Sequence, residues 1–123
     1  VFIGGHSLGG VAASTQVSKH PDDYDGLILI ASYPRIGVDL SGWDKPVLTI
    51  TASNDGVIDE AMFEDGFERL PESTVHYDIQ GGNHANFGSY GTQRFDGEAE
   101  ISRSAQQNIT ALKIGTMILN NLE

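Results

Sequence analysis

The chain has 123 residues, enough for one domain, and its apolar share of 39% and charged share of 20% are typical of a globular protein. A formal charge of −10 without any basic stripe argues against nucleic acids and anionic membranes as partners. The absence of cysteine excludes disulfides, thiolate metal ligands and a cysteine nucleophile. No apolar run approaches the roughly 20 residues that a membrane-spanning helix needs, and the composition leaves the cellular compartment open.

Apolar patterning divides the chain into alternating strands and helices. The predicted elements are, in order, a strand at 1–3, a helix over 8–19, strands at 27–31 and 47–52, a helix over 58–70, a strand at 75–79 and a final helix after residue 102. Residues 27–31 are apolar without a break, which is typical of a strand covered on both faces. This alternation predicts an α/β fold with a parallel sheet flanked by helices.

The last third of the chain combines a long loop with the final helix. Glycine and polar residues fill positions 81–100 and predict the loop. Ser102 can cap the helix through its side-chain oxygen. Helical spacing predicts a buried side that includes Ala105, Ile109, Leu112, Thr116 and Leu119.

The residues between the first strand and the first helix match a motif of nucleophilic serines. Gly5-His6-Ser7-Leu8-Gly9 fits G-x-S-x-G, and it follows a predicted strand and opens a predicted helix, as that motif requires. Such a serine occupies a strained turn, so we expect side chains at Gly5 and Gly9 to collide. Ser7 is therefore the candidate nucleophile, and the Leu8 backbone N–H, at a helix N-terminus, is a candidate oxyanion donor.

Four histidines compete for the role of general base. His6 is next to the serine in the same turn, so its ring is expected to point away from the hydroxyl and to support the turn. His20 ends a helix, and His76 lies within a strand, where a structural role is expected. His84 follows a strand end in a glycine-rich loop, where folds of this class keep their functional groups, and it is the candidate base.

Asp55 is the preferred candidate for the acid that orients the base. It lies in the turn that directly follows the strand at 47–52, from which a side chain best reaches the next loop. Its role would be to accept the Nδ1 proton of His84, fix the tautomer and stabilise the imidazolium. Asp59 is the alternative, either as a helix cap or as a substitute acid.

Three acidic residues near the end of the long loop are candidate metal ligands. Asp96, Glu98 and Glu100 are spaced like carboxylates on one side of an extended run. Such spacing constrains a calcium site only loosely, so an exposed acidic loop is the preferred interpretation. We predict no metal site and no cofactor.

With Ser7, Asp55 and His84 in these positions, the chain resembles the α/β-hydrolase superfamily, and most of all small lid-less members such as dienelactone hydrolases. A bacterial subgroup of hydrolases is similar to residues 81–91, followed by Gln93, Asp96-Gly97 and Gln106-Gln107. The resemblance implies that residues 1–123 are the C-terminal portion of a single domain, from strand 5 to the final helix of an eight-stranded core. A start at Val1 without methionine agrees with this expectation. The N-terminal strands, and the loop that supplies the second oxyanion N–H, would lie upstream.

The same resemblance bears on access to the site. Only residues 32–46 separate the second strand from the third, too few for an inserted cap domain. The site is therefore expected to be open on that side. The loop over residues 86–100 could fold over the pocket with Phe87 and Tyr90 as apolar cover, or it could pack on its own body.

The function predicted from these residues is hydrolysis of an ester-like bond in a small molecule through an acyl-enzyme. Amide or peptide cleavage and acyl transfer use the same triad and remain alternatives, as does a non-catalytic binding protein that has kept the fold. The sequence does not identify the substrate or the residues that bind it. Folded alone, a chain of this kind would expose the edge of its first strand, which predicts either an oligomer or an aggregation-prone monomer.

Overall fold

The computed structural model describes residues 1–122, so only Glu123 of the predicted domain lies outside the described residues. The elements are β1 (Phe2–His6), α1 (Leu8–Lys19), β2 (Gly26–Ile30), β3 (Val47–Ala52), α2 (Glu60–Phe67), β4 (Val75–Ile79) and α3 (Arg103–Asn120). Single 3₁₀ turns occupy Pro21–Asp23 and Ala85–Phe87. The order and type of the predicted strands and helices are confirmed, with boundaries that differ by a few residues.

The four strands form one parallel sheet in the order β1-β2-β3-β4. Ile3 lies opposite Leu27, and Leu48 lies opposite Val75. Because all strands run in the same direction, their carboxyl ends meet at one edge of the sheet. The segments that follow β1, β3 and β4 therefore come together there, and these segments carry the candidate site residues.

Each face of the sheet carries its own hydrophobic core. Leu27 and Leu29 of β2 pack on one face with Val17 of α1, and Phe67 of α2 lies against the same cluster. Ile28 packs on the opposite face with Met117 of α3. Both faces of β2 are thus covered, which is why its sequence is apolar at every position and does not alternate. The result is a parallel sheet between two layers of helices, as predicted.

The predicted buried side of α3 is wrong for Leu112, Thr116 and Leu119, whereas Ile109 packs, partly buried, against the core cluster that contains Met117. Leu112 and Leu119 are 68% and 71% exposed, and the buried residues of this helix are Gln106, Thr110 and Met117. Two of these three are polar, so a hydrophobic pattern could not identify them. The predicted cap is confirmed, because the Ser102 side chain accepts a hydrogen bond from the Ala105 N–H at 3.0 Å. No helix within residues 1–122 is long and apolar enough to cross a lipid bilayer.

Candidate active site

Ser7 occupies a strained turn between the end of β1 and the start of α1. Its backbone has φ of 57° and ψ of −122°, a conformation that costs a non-glycine residue about 1–3 kcal/mol. Two hydrogen bonds hold the turn, from the Ser7 N–H to the Ile30 carbonyl at 2.9 Å and from the Ser32 hydroxyl to the Ser7 carbonyl at 2.6 Å. Contacts with β2 and with the residues that follow it thus hold Ser7 in its strained conformation.

The glycines of the turn differ in how much space a side chain would have at each position. A Cβ on Gly5 would lie 2.2 Å from the Gly9 carbonyl carbon, and one on Gly10 would lie 2.4 Å from the Ser32 Oγ. Both positions therefore need glycine. A Cβ on Gly9 would meet no described atom within 4 Å. The expectation of a collision at Gly9 is wrong, because a side chain there would point into open space, and it is the backbone of Gly9 that crowds Gly5.

The structure brings Asp55 and His84 together. The His84 Nδ1 and the Asp55 Oδ2 are 2.7 Å apart, and the two side chains are 2% and 1% exposed. The other oxygen, Oδ1, accepts hydrogen bonds from the N–H groups of Val57 at 2.8 Å and Ile58 at 2.9 Å. Burial by itself would raise the pKa of Asp55, but the hydrogen bonds from His84, Ile58 and Val57 outweigh burial and lower this pKa. Asp55 is therefore held as a carboxylate.

Ser7 and His84 line one cavity of about 240 Å³ at the carboxyl edge of the sheet. Its other lining residues are Leu8, Val11, Ala31, Ser32, Tyr33, Val57, Ile58 and Asp59. No hydrogen bond joins the Ser7 hydroxyl to the His84 ring within residues 1–122, so the two side chains share the cavity without being bonded to each other. A larger cavity of about 510 Å³ lies between β4 and α3 and is lined by none of the candidate site residues.

Leu8 also lines this cavity. It is the first residue of α1, so its N–H has no acceptor within the helix. Its side chain is 79% exposed and takes no part in the core. A free N–H at a helix N-terminus can stabilise negative charge that develops next to Ser7.

His6 packs against the ring of His84. The two ring centroids are 4.6 Å apart, and the His6 Nδ1 is bonded to the Tyr90 hydroxyl. Burial, together with the neighbouring His84, lowers the pKa of His6, which favours a neutral ring at neutral pH. His6 therefore contacts the candidate base as well as belonging to the turn that it was predicted to support.

The remaining alternatives have other contacts. Asp59 accepts a hydrogen bond from the Met62 N–H at 3.1 Å and caps α2. The His76 Nδ1 lies 2.7 Å from the Thr49 hydroxyl within the sheet. Neither contacts His84, so Asp55 is the carboxylate at the candidate base.

The long loop packs against the rest of the domain and does not cover the cavity. Phe87 lies against the hydrophobic cluster under α3, and Tyr90 is 58% exposed. Neither residue lines the cavity at the serine. Among residues 1–122, no group of three or more histidine, aspartate or glutamate side chains is arranged to hold a metal ion.

The roles of three supporting residues were not predicted from the sequence. Ser32 donates a hydrogen bond to the Ser7 carbonyl in the turn between β1 and α1, which we call the elbow. Asp96 accepts a hydrogen bond from the backbone N–H of His84 at 3.1 Å, and Gln106 is hydrogen-bonded to the backbone of Asn83. Asp96 and Gln106 belong to the segments that carry the family resemblance, but nothing in the pattern indicated which groups they bond. Each acts on backbone atoms of a distant segment, which a linear motif does not encode.

Known proteins resemble this chain in sequence pattern and in fold. Residues 1–108 match the model of the alpha/beta hydrolase family. No curated protein matches the chain in sequence. A protein described as a predicted CIB-like hydrolase from Thermoplasma acidophilum shares the fold with a TM-score of 0.65 at 18% identity, over 92% of this chain and 49% of that one. MGS-MChE2, an alpha/beta hydrolase enzyme from a sediment metagenome of the Mar Chica lagoon in Morocco, has a TM-score of 0.59 at 21% identity, over 73% and 55%.

The chain thus spans about half the length of these solved structures, and at such identities the likeness is one of fold. The family model, by contrast, covers most of the chain and includes the elbow and the loops that carry Asp55 and His84. The chain belongs to the α/β hydrolase family.

Proposed function

We propose that this chain carries the catalytic triad of a serine hydrolase that cleaves ester-like bonds in small molecules. The observation that supports this most is the buried Asp55–His84 pair, with 2.7 Å between Oδ2 and Nδ1, at a cavity that Ser7 also lines. A buried aspartate in this position fixes the imidazole tautomer, so that Nε2 is free to accept a proton from the serine.

The reaction follows from these roles. The Ser7 Oγ attacks the substrate carbonyl while the His84 Nε2 removes its proton, and the imidazolium is stabilised by Asp55. The proton then passes from Nε2 to the leaving alcohol, and an acyl-enzyme remains. Water, deprotonated by the same Nε2, attacks the acyl carbon, and the proton returns to the Ser7 oxygen as the acid leaves.

The oxyanion of each tetrahedral intermediate needs hydrogen-bond donors. The Leu8 N–H is proposed as one of them, because it begins α1 and lines the cavity. We propose that the second donor, and most of the pocket for the acyl group, come from residues outside this chain. Residues 1–123 would then be the C-terminal portion of a single domain.

Two other functions use the same residues. Amide cleavage and acyl transfer differ from ester hydrolysis in the leaving group or in the acceptor of the acyl group. A protein that only binds its ligand would have no need for a buried aspartate at a histidine beside a strained serine. The paired side chains therefore favour catalysis over binding alone.

The test uses the full-length protein that contains this chain. A fluorophosphonate probe is expected to label Ser7, and Ser7→Ala is expected to lower kcat on a p-nitrophenyl ester at least about 10⁴-fold. Ser18→Ala is the matched control, because Ser18 is an exposed serine of α1 whose loss should leave kcat unchanged. Retained turnover in Ser7→Ala, or labelling at another serine, would refute the proposal.

A product assay separates the alternatives within acyl chemistry. Hydrolysis predicts that the free acid accumulates even when a competing alcohol is added. Acyl transfer predicts that a new ester forms at the expense of the acid. Turnover of the p-nitroanilide that matches the ester would point instead to amide cleavage.

A further inference from the structure

Asp96 lies in the loop before α3, and both oxygens of its carboxylate accept hydrogen bonds from backbone amides. Oδ1 accepts from the N–H groups of His84 at 3.1 Å, Gly56 at 3.2 Å and Gly97 at 2.9 Å. Oδ2 accepts from the N–H of Ala85 at 2.9 Å. A carboxylate offers about four lone-pair sites, so these donors occupy its capacity.

The donors connect the two segments that carry the candidate acid and base. Gly56 directly follows Asp55, and it is 40 residues from Asp96 along the chain. Two of the other donors are the N–H of His84 itself and that of Ala85. One side chain therefore fixes the backbone on both sides of the Asp55–His84 hydrogen bond.

The backbone around this carboxylate is closely packed. A Cβ on Gly56 would lie 2.1 Å from the Phe95 carbonyl oxygen, and one on Gly97 would lie 1.9 Å from the Asn54 carbonyl oxygen. Phe95 itself has φ of 70°, in the left-handed region that residues other than glycine disfavour. These contacts leave little room for the segment around residue 96 to shift against the turn that holds Asp55.

The chemistry of the contacts requires a carboxylate at this position. All the partners of Asp96 are donors, and they approach both oxygens. An asparagine would point its own NH₂ donors at one set of N–H groups, so at least one backbone amide would lose its acceptor. Hydrogen bonds to an ionised acceptor are also stronger than those to a neutral one.

We propose that Asp96 is a positioning residue for the triad, which sets the distance between Asp55 and His84 by holding the backbone of both segments. The proposal rests on the proposed function, since it assigns Asp96 a role in that same reaction. Asp96 itself does not touch substrate, and it acts only through Asp55 and His84.

The test compares Asp96→Asn with Glu98→Gln in the full-length protein. Glu98 lies in the same loop, and its exposed side chain forms no hydrogen bond within residues 1–122, so its substitution removes the same charge without disturbing these contacts. Asp96→Asn is expected to lower kcat about 10- to 100-fold, as a displacement of about 1 Å in a catalytic group does, with KM changed less than twofold. Glu98→Gln is expected to leave both constants unchanged.

A spectroscopic measurement on the resting protein separates this proposal from the proposed function. The proton on His84 Nδ1 should give a low-field NMR resonance in the wild type and in Glu98→Gln, and this resonance should shift or disappear in Asp96→Asn. A wild type that does not label at Ser7 would refute the proposed function. An unchanged resonance together with an unchanged kcat in Asp96→Asn would refute the role of Asp96.

Loss of folding is distinguished from loss of positioning by counting competent sites. Titration with the fluorophosphonate gives the number of reactive serines, and kcat is expressed per titrated site. If Asp96→Asn is insoluble, Asp96→Glu keeps the charge but moves it by one methylene, and the same fall in kcat per site is expected. A wild-type kcat per site in Asp96→Glu would then contradict the proposal.

Discussion

Steric crowding at Gly5 and two hydrogen bonds hold the turn of Ser7, whereas hydrogen bonds from distant side chains hold the loops of Asp55 and His84. At the elbow, the Cβ that Gly5 lacks would overlap backbone at 2.2 Å. On the other side of the cavity, Asp96 and Gln106 bond the backbone of the loops that carry the candidate acid and base. Hydrogen bonds thus act on both sides of the cavity, and the turn of the candidate nucleophile has in addition a steric constraint at the adjacent Gly5.

The difference predicts different responses to mutation. A steric constraint against backbone has no intermediate state, because backbone atoms cannot yield by changing rotamer. A set of hydrogen bonds loses its members one at a time, and each loss has a moderate cost. Substitution of the crowded Gly5 should therefore abolish the site, and substitutions of Asp96 or Gln106 should weaken it in steps.

Gly5→Ala gives the largest expected effect and tests the steric side of the comparison. Overlap of the new Cβ with the backbone of Gly9 and Gly10 should destabilise the protein by at least about 3 kcal/mol and remove detectable esterase activity. Urea unfolding and turnover of a p-nitrophenyl ester measure the two effects.

Gly9→Ala is the matched control at the other glycine of the motif. Its Cβ meets no described atom within 4 Å, and alanine is favoured over glycine in a helix by up to about 1 kcal/mol. This variant should remain folded with an unchanged or higher unfolding midpoint. If Gly5→Ala and Gly9→Ala unfold alike, steric crowding at Gly5 does not explain the motif.

The elbow could be predicted from sequence because its causes lie within a few residues. The strand, the five-residue motif and the helix are contiguous, and together they identify Ser7 as the residue at the turn. The predicted sheet is confirmed for a similar reason, since an unbroken apolar run such as 27–31 requires cover on both faces. One expectation about this turn was wrong: a side chain at Gly9 would not collide with its surroundings.

The supports of the loops could not be predicted in the same way. Asp96 looked like one of several acidic loop residues, and only folding brings it to the N–H of a residue 40 positions earlier. Gln106 is fully buried on α3, where a hydrophobic pattern predicts apolar neighbours such as Leu112 instead. Both side chains bond backbone groups, and every residue but proline has the same backbone donors and acceptors, so no residue type reveals the partner.

Asp55→Asn is the next largest change and tests the pair at the centre of the site. An asparagine can no longer hold the imidazolium or fix the tautomer, so kcat is expected to fall about 10³- to 10⁴-fold. Asp44→Asn, at an exposed aspartate whose side chain has no hydrogen bond within residues 1–122, should leave kcat unchanged. An Asp55→Asn enzyme within tenfold of wild type would exclude Asp55 as the orienting acid.

The pH dependence of stability gives a second reading of Asp55. Its pKa is lowered in the folded state, so its carboxylate stabilises the protein above the pKa of the unfolded chain, about 3.9, and this contribution disappears as the pH falls through the folded value. The difference in free energy of unfolding between wild type and Asp55→Asn should thus be constant above about pH 5 and narrow at lower pH. Urea unfolding between pH 3 and 7, at roughly half-unit steps, would show it. A difference that grows on acidification would contradict the lowered pKa.

Gln106→Leu has a smaller expected effect on activity than Gly5→Ala or Asp55→Asn, and it tests whether the loop is weakened in steps. The Gln106 Oε1 accepts from the Asn83 N–H at 3.1 Å, and its Nε2 donates to the Asn83 carbonyl at 2.7 Å. Leucine would leave both backbone groups buried without partners, at a cost of about 2–4 kcal/mol in the free energy of unfolding. The loop stays attached through Asp96, so kcat per titrated site should fall less than about tenfold.

Gln107→Leu is the control. It removes the hydrogen bond to the Gly88 carbonyl at 3.0 Å from a partly exposed side chain, and it should lower the free energy of unfolding by less than about 1.5 kcal/mol. Complete loss of activity in Gln106→Leu with the fold intact would mean that the loop, like the elbow, has no intermediate state, and the contrast between the two sides of the cavity would then be wrong.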